Sequence, residues 1–91
     1  MAFENPKLAA APDHRFFYVN MDPLNFSVRE WIGGSQDNEI YAPEPCSELR
    51  ICGFEQTGNG KYNIVLYRNA SEDTSYVFVD AATGQAVKTI Q

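Results

Sequence analysis

The chain of 91 residues has few of the side chains from which catalytic and metal sites are built. It contains one histidine, His14, and two cysteines, Cys46 and Cys52. A zinc site needs about four such ligands, and a hydrolytic triad needs a nucleophile, a base and a residue that orients the base. His14 lies in a proline-flanked stretch far from both cysteines in sequence. We therefore expect no enzyme activity, no metal site and no cofactor.

Basic residues and long apolar runs are also scarce. Seven Lys and Arg stand against twelve Asp and Glu, so the net charge is −5 and the basic stripe typical of nucleic-acid-binding proteins is missing. No apolar run reaches the roughly 18 residues of a membrane span, and residues 1–12 lack the apolar segment of a signal peptide. The sequence predicts a cytoplasmic protein that binds neither nucleic acid nor membrane. A periplasmic or secreted location is the alternative if a signal peptide was removed.

The two cysteines allow one disulfide at most. In an extended strand the Cα atoms of Cys46 and Cys52 lie about 20 Å apart at ~3.3 Å per residue, and in a helix about 9 Å apart at ~1.5 Å per residue. A disulfide needs a separation below about 7 Å. Pairing therefore requires a bend between them. The alternative is two free thiols, with Cys52 buried and Cys46 in a loop.

The chain does have the composition of a folded domain. Hydrophobic residues make up 44% and aromatic residues 13%, more than a disordered chain contains. Its length fits a single domain. Residues 1–14 carry two prolines and no periodic pattern, so they are predicted to form a flexible N-terminal arm, and residues 15–91 a single small domain.

Four strands joined by short turns are predicted from Leu49 to the C-terminus, over residues 49–56, 61–68, 75–80 and 85–90. Asn59-Gly60 is a strong hairpin signal, because a type I′ turn needs positive φ at both central residues. Gly84 suits a left-handed position in the next turn. Aromatic and β-branched residues over 15–20 predict one further strand. These strands together form an antiparallel meander.

Residues 22–34 allow two interpretations. In a helix, Asp22 caps the N-terminus, Pro23 takes the first position and four apolar residues share one face, namely Leu24, Val28, Trp31 and Ile32. In a strand, Phe26, Val28 and Ile32 share a face and pair with residues 15–20. We favour the helix. The predicted fold class is therefore α+β, a four- to five-stranded antiparallel meander sheet with one short helix, and all-β is the alternative.

Residues 33–47 are predicted to form a loop, because they include two glycines and two prolines. The segment from Glu30 to Glu48 carries five acidic residues and no Lys or Arg. Such a segment is either a solvated loop or an acidic surface for a basic partner, whose approach it would accelerate. A tyrosine in it adds a residue type favoured at interfaces. The candidate contacts are Asp37, Glu39, Tyr41 and Glu44.

Residues 76–87 read as a strand, a Val-Asp-Ala-x-Thr-Gly turn and a second strand. With the glycine-rich hairpin before it, the segment Lys61–Val87 resembles the C-terminal part of a PepSY-type domain. The resemblance covers less than half of the chain and brings no catalytic residues. It implies an antiparallel sheet paired with a helix, and a protease-modulating or binding role outside the cytoplasm.

These observations predict a small non-catalytic interaction domain that binds another protein, one with a basic surface, through its acidic loop. Binding without chemistry is how small inhibitors and immunity proteins of bacteria and phages act, so this is an inhibitor- or immunity-like function. The alternative is an extracytoplasmic PepSY-like accessory or structural domain of a bacterial protein.

Overall fold

The structure is a computed structural model that describes residues 8–91, and these residues contain strands and no helix. The strands are β1 (Ala9–Ala10), β2 (Phe16–Asn20), β3 (Ser27–Gly33), β4 (Gln36–Tyr41), β5 (Glu48–Gly58), β6 (Lys61–Ala70), β7 (Asp73–Asp80) and β8 (Ala86–Ile90). They form two antiparallel four-stranded sheets, with strand orders β1-β2-β3-β4 and β5-β6-β7-β8. The described molecule measures 43 × 36 × 17 Å.

The predicted α+β class is wrong, because the residues expected to be helical form a turn and β3. The backbone N–H of Asn25 donates to the Asp22 carbonyl at 2.9 Å, and that of Leu24 to the Asp22 side chain at 3.0 Å. Asp22 and Pro23 therefore begin a β-turn, in which both residue types are favoured. The apolar set assigned to one helix face is not buried together, since Leu24 is 89% exposed and Val28 is fully buried.

The loop predicted over residues 33–47 is also wrong for its first part. Gly34 and Ser35 form a tight turn that leads directly into β4, with φ of 56° at Gly34 and of 151° at Gly33, the last residue of β3. β4 pairs with β3 and completes the first sheet, so only residues 42–47 connect the two sheets. The single four- to five-stranded sheet of the sequence prediction is therefore two four-stranded sheets.

The antiparallel meander predicted from Leu49 onward is confirmed, with β5, β6 and β7 longer than predicted and β8 one residue shorter. Asn59-Gly60 joins β5 to β6, and Gly60 has a φ of 71°. Gly84, in the turn between β7 and β8, has a φ of 73° and donates its N–H to the Asp80 carbonyl at 2.7 Å. Both glycines occupy the left-handed conformation that side chains disfavour.

One core lies between the sheets and draws on both of them. Its buried members are Ala11, Phe17, Phe26, Val28, Leu49, Tyr62, Ile64, Leu66, Val77, Val79 and Ala81. The ring of Phe17 in the first sheet lies 6.0 Å from that of Phe54 and 6.5 Å from that of Tyr62 in the second sheet. Aromatic pairs at these separations add to the stabilisation from burial.

A polar cluster joins the two sheets beside this core. Arg15 donates to both carboxylate oxygens of Glu30, at 3.0 and 2.7 Å, and to the carbonyl of Ala81 at 3.4 Å. The Tyr62 hydroxyl donates to Asp13 at 2.9 Å. Burial, and then this hydrogen bond, raise the pKa of Tyr62 to about 12. The cluster fixes the chain before β2 against the second sheet.

Residues 1–7 of the predicted N-terminal arm, residues 1–14, lie outside the described residues. The rest of it contains β1, in which Ala9 is paired with Phe17 and Ala10 with Phe16. Ala11 follows and is buried in the core. Residues 9–11 are therefore part of the first sheet and its core.

Candidate functional site

The side of the first sheet that faces away from the core carries a continuous set of aromatic and charged residues. Cross-strand partners lie on one face of a sheet, as do alternate residues of a strand. The register pairs Phe16 with Trp31, Tyr18 with Arg29, Trp31 with Asp37 and Arg29 with Glu39. We define the first outer face by these residues: Phe16, Tyr18, Arg29, Trp31, Asp37 and Glu39.

An exposed aromatic pair lies at one end of the first outer face. The rings of Phe16 and Trp31 meet edge to face, 6.2 Å apart at 71°, and the two residues are 38% and 37% exposed. The Trp31 indole N–H donates to the Gly34 carbonyl at 3.0 Å. This hydrogen bond and the contact with Phe16 hold the indole in one orientation, so the pair presents a fixed apolar surface.

Arg29 lies at the centre of the face and is held by its neighbours. Its Nε donates to Asp37 at 2.8 Å, its Nη2 to the other oxygen of the same carboxylate at 3.3 Å, and its Nη1 to the Ser27 hydroxyl at 3.3 Å. The Tyr18 hydroxyl also donates to Asp37. Three strands thus contribute to one hydrogen-bonded network, which fixes the guanidinium plane.

The protonation states of this network are stable near neutral pH. Hydrogen bonds from Arg29 and then Tyr18 lower the pKa of Asp37, while the hydrogen bond to Asp37 raises the pKa of Arg29. Burial, and then the hydrogen bond to Asp37, raise the pKa of Tyr18. Each shift moves a pKa further from neutrality, whereas a general acid or base works best with a pKa near the operating pH. The network is therefore suited to holding a geometry.

The structure places the four candidate contacts in different surroundings. Asp37 and Glu39 lie on the first outer face, both beside Arg29. Tyr41 is half-buried and packs against the core. Glu44 is exposed in the connection between the sheets. The four candidates that sequence analysis grouped into one loop thus lie on a strand face, at a core boundary and in a connection.

Arginines outside the acidic segment pair with three of its acids. The pairs are Glu30 with Arg15 at 2.7 Å, Asp37 with Arg29 at 2.8 Å, and Glu48 with Arg50 at 3.5 Å. Glu39 lies 3.8 Å from Arg29 and its side chain remains 56% exposed. Glu39 and Glu44 are therefore the acids of the segment most available to a partner.

Sequence analysis missed Phe16, Tyr18 and Arg29 as candidates, and it placed Trp31 on the apolar face of the predicted helix. The glycines at 33 and 34 were the signal that could have identified them, because a tight turn there makes the flanking segments a hairpin. With the hairpin in place, strand alternation puts Arg29 and Trp31 on one face, and pairing with β2 adds Phe16 and Tyr18.

Both cysteines are free in the structure, so the disulfide between Cys46 and Cys52 is not formed. Cys46 lies in the connection between the sheets, as expected for a free thiol, whereas the expected burial of Cys52 is wrong. Cys46 is half-buried, with its sulfur 3.2 Å from the Glu48 carbonyl oxygen. Cys52 is exposed at an irregularity of β5, where the pairing register with β6 shifts.

Within residues 8–91, no group of three or more His, Cys, Asp and Glu side chains is placed to hold a metal ion. The same part of the chain contains no helix that could cross a membrane. No protein-family model, curated protein or solved structure matches the chain. Its function is therefore inferred from the geometry of the first outer face.

Proposed function

We propose that this protein is a small non-catalytic binding module, and that it binds another protein through its first outer face. The observation that carries the proposal is the exposed Phe16–Trp31 pair beside the network-held Arg29. Trp, Tyr and Arg are the residue types that dominate binding hot spots. The face combines all three with a second exposed aromatic ring on adjacent strands.

Rigidity of the face supports this role. Binding usually costs conformational entropy when interface side chains become ordered. Here Trp31 is already fixed by its bond to Gly34, and Arg29 by Asp37 and Ser27. A partner would therefore meet side chains in their final orientation, and less of the interaction free energy would be lost to ordering.

Charge indicates the kind of partner. Glu39 lies on β4, next to the strand that carries Trp31, and Glu44 is exposed in the connection that follows β4. The net charge of the chain is −5. Acidic residues at the edge of an interface accelerate association with an oppositely charged surface. We therefore expect a partner with a basic rim around an apolar centre.

The outer side of the second sheet provides a contrast. Tyr67 and Tyr76 pair there with ring centroids 5.7 Å apart. Arg50 lies 4.7 Å from the centre of the Tyr67 ring and Lys88 lies 4.2 Å from that of Phe78. Cations within the chain already occupy these ring faces, and that makes this side the weaker candidate. Tyr76 is nonetheless an exposed aromatic residue, so it supplies a matched control.

The proposal is tested by affinity capture with three immobilised proteins: the wild type, Trp31→Ala and Tyr76→Ala. Each is first checked for native circular dichroism. We expect a partner from lysate of the source cells that the wild type and Tyr76→Ala retain and Trp31→Ala loses. Truncation of a hot-spot tryptophan typically costs about 2 kcal/mol or more, which is on the order of thirtyfold in affinity.

A direct titration then follows with the purified partner. Trp31 is the only tryptophan of the chain, so its fluorescence reports contact with the face. Glu39→Lys combined with Glu44→Lys should slow association, with a smaller effect at high salt.

Loss of the partner with Tyr76→Ala but not with Trp31→Ala would contradict the proposal and assign binding to the other sheet. Failure of the wild type to retain any protein above blank resin would also contradict it.

A further inference from the structure

A cleft of about 590 Å³ opens between the edges of the two sheets. It lies between β1 with the end of β2 on one side and the first half of β5 on the other. Both β1 and β5 are edge strands of their sheets. The residues that line it are Leu8, Ala9, Val19, Met21, Leu49, Arg50, Ile51 and Cys52.

The lining of the cleft is mainly apolar. Leu49 belongs to the buried core, and Val19 and Ile51 pack against that core. Leu8 and Met21 are exposed, although both are large apolar side chains. Small-molecule sites typically measure about 300–1,000 Å³ and combine apolar walls with a few polar groups, and the cleft fits both criteria.

Among residues 8–91, Arg50 is the only charged residue in the lining. Its Nε lies 3.5 Å from a Glu48 carboxylate oxygen, and its guanidinium carbon lies 4.7 Å from the centre of the Tyr67 ring, which covers one face of the group and leaves the N–H donors along its edge. The Arg50 and Glu48 side chains are 64% and 45% exposed. An ion pair this exposed contributes little, so another carboxylate can compete for the guanidinium. A guanidinium also presents five N–H donors in a geometry that matches a carboxylate.

From this combination we propose that the cleft binds an alkyl carboxylate, with its hydrocarbon tail between the sheet edges and its carboxylate on Arg50. The apolar walls remove the tail from water, and the single cation selects an anionic head group. None of the lining residues belongs to the first outer face, so this proposal does not rest on the protein-binding role.

Cys52 makes the proposal measurable, because this free cysteine is exposed and is one of the residues that line the cleft. The second thiol is removed by Cys46→Ser, which keeps a donor for the Glu48 carbonyl. The rate of Cys52 alkylation is then measured against decanoate concentration, below its micellar range. We expect decanoate to slow alkylation severalfold and saturably. Decyltrimethylammonium, which has a similar tail and the opposite charge, should leave the rate unchanged.

The head-group contact is tested by Arg50→Gln, with Lys88→Gln as the matched control. Lys88 also lies over an aromatic ring and beside a glutamate, but it does not line the cleft. Each variant is compared with its own rate without ligand. We expect Arg50→Gln to weaken decanoate binding about threefold or more, as loss of a charged hydrogen bond at a partly exposed site should, and Lys88→Gln to bind as tightly as the parent.

Three outcomes would overturn the proposal: no protection of Cys52 by decanoate, equal protection by both amphiphiles, or equal affinity for decanoate in Arg50→Gln and its parent. Trp31 fluorescence during the titration distinguishes protection from unfolding, since this residue lies on the outer face of the other sheet. Unfolding by decanoate would expose Cys52 and accelerate alkylation, which is the opposite of the expected result.

Discussion

At the scale of residues, carboxylates and arginines of this protein pair mostly across strands. Asp37 on β4 is bonded both to Arg29 on β3 and to Tyr18 on β2. Glu30 on β3 is bonded to Arg15, which precedes β2. Neither set is adjacent in sequence, so each charged group has a partner only once the first sheet has formed. The pH dependence of stability should therefore follow these pairs.

Asp37→Asn keeps the shape of the side chain and removes its charge. The pKa of Asp37 is lowered from 3.8 in the folded state, so the unfolded chain binds its proton more readily. The stabilisation is thus present above about pH 3.8 and is lost as pH falls through the lower pKa of the folded protein. At pH 7 we expect the substitution to reduce the free energy of unfolding by about 1–2 kcal/mol.

Urea denaturation of the wild type and Asp37→Asn from pH 7 down to about pH 2 measures this difference. We expect the difference in the free energy of unfolding between the two proteins to become smaller as the pH falls. The control is Glu39→Gln, which removes a more exposed and more distant partner of Arg29 and should cost less. If the difference in the free energy of unfolding between the wild type and Asp37→Asn stays constant with pH, the charge of Asp37 is not the source of the stabilisation.

Tyr62 gives the opposite pH dependence. Its pKa is raised from 10.0 to about 12 in the folded state, so above pH 10 the unfolded chain loses the proton first. Stability should be unaffected below pH 10 and should decline as pH rises towards 12. Tyr62→Phe is expected to flatten that decline, and to cost about 1 kcal/mol at pH 7 through the lost bond to Asp13.

Urea denaturation at alkaline pH tests this prediction. Asp13→Asn keeps an acceptor oxygen and removes the negative charge, so it should lessen the alkaline decline only in part. If Tyr62→Phe loses stability with pH as steeply as the wild type, the alkaline transition belongs to other groups.

At the scale of elements, two turns decide how the strands meet. The turn at Asp22 directs the chain into β3, and the Gly34-Ser35 turn directs it into β4. On the second sheet, the turn at Gly84 also contacts the first. A Cβ at Gly84 would clash with the backbone oxygen of Ile40, so glycine is needed there for space as well as for backbone conformation.

Substitution of two glycines by alanine separates these two requirements. Gly60 and Gly84 have nearly equal φ, 71° and 73°, but only Gly84 has a backbone atom in the way of a Cβ. We expect Gly60→Ala to cost about 1–2 kcal/mol from backbone strain, and Gly84→Ala to cost about 1–3 kcal/mol more. Thermal or urea unfolding measures both. Equal losses would show that the contact with Ile40 relaxes at no cost.

At the scale of the whole molecule, the two sheets share one core and should unfold as one unit. Phe17 is fully buried in the first sheet and contacts two aromatic rings of the second. Phe17→Ala should therefore cost about 3–5 kcal/mol. Phe16→Ala is the matched control on the same strand, because its ring lies on the outer face, and it should cost much less.

Two probes test the cooperativity itself. Trp31 fluorescence follows the first sheet, and amide exchange at Ile64 and Leu66 on β6 follows the second. We expect both to report the same free energy of unfolding in the wild type, as two-state behaviour requires. A second sheet that remains protected after the Trp31 transition would show that the sheets are separate units.

The sequence by itself determined the second sheet. Asn59-Gly60 and the turn ending at Gly84 are local signals, and the segments beside them alternate with the period of a strand. β6 and β7 therefore appeared close to their true positions. Asp37 and Glu39 were also identified as surface candidates from sequence, because acidic residues are seldom buried.

Only the tertiary structure decided the first sheet and the candidate site. Residues 22–32 fit both a helix and a strand, and the choice depends on pairing with β2 and on the burial of Val28 against the second sheet. The first outer face likewise depends on strand order, since its residues come from β2, β3 and β4. Such pairings join residues that are distant in the chain, and no local pattern encodes them.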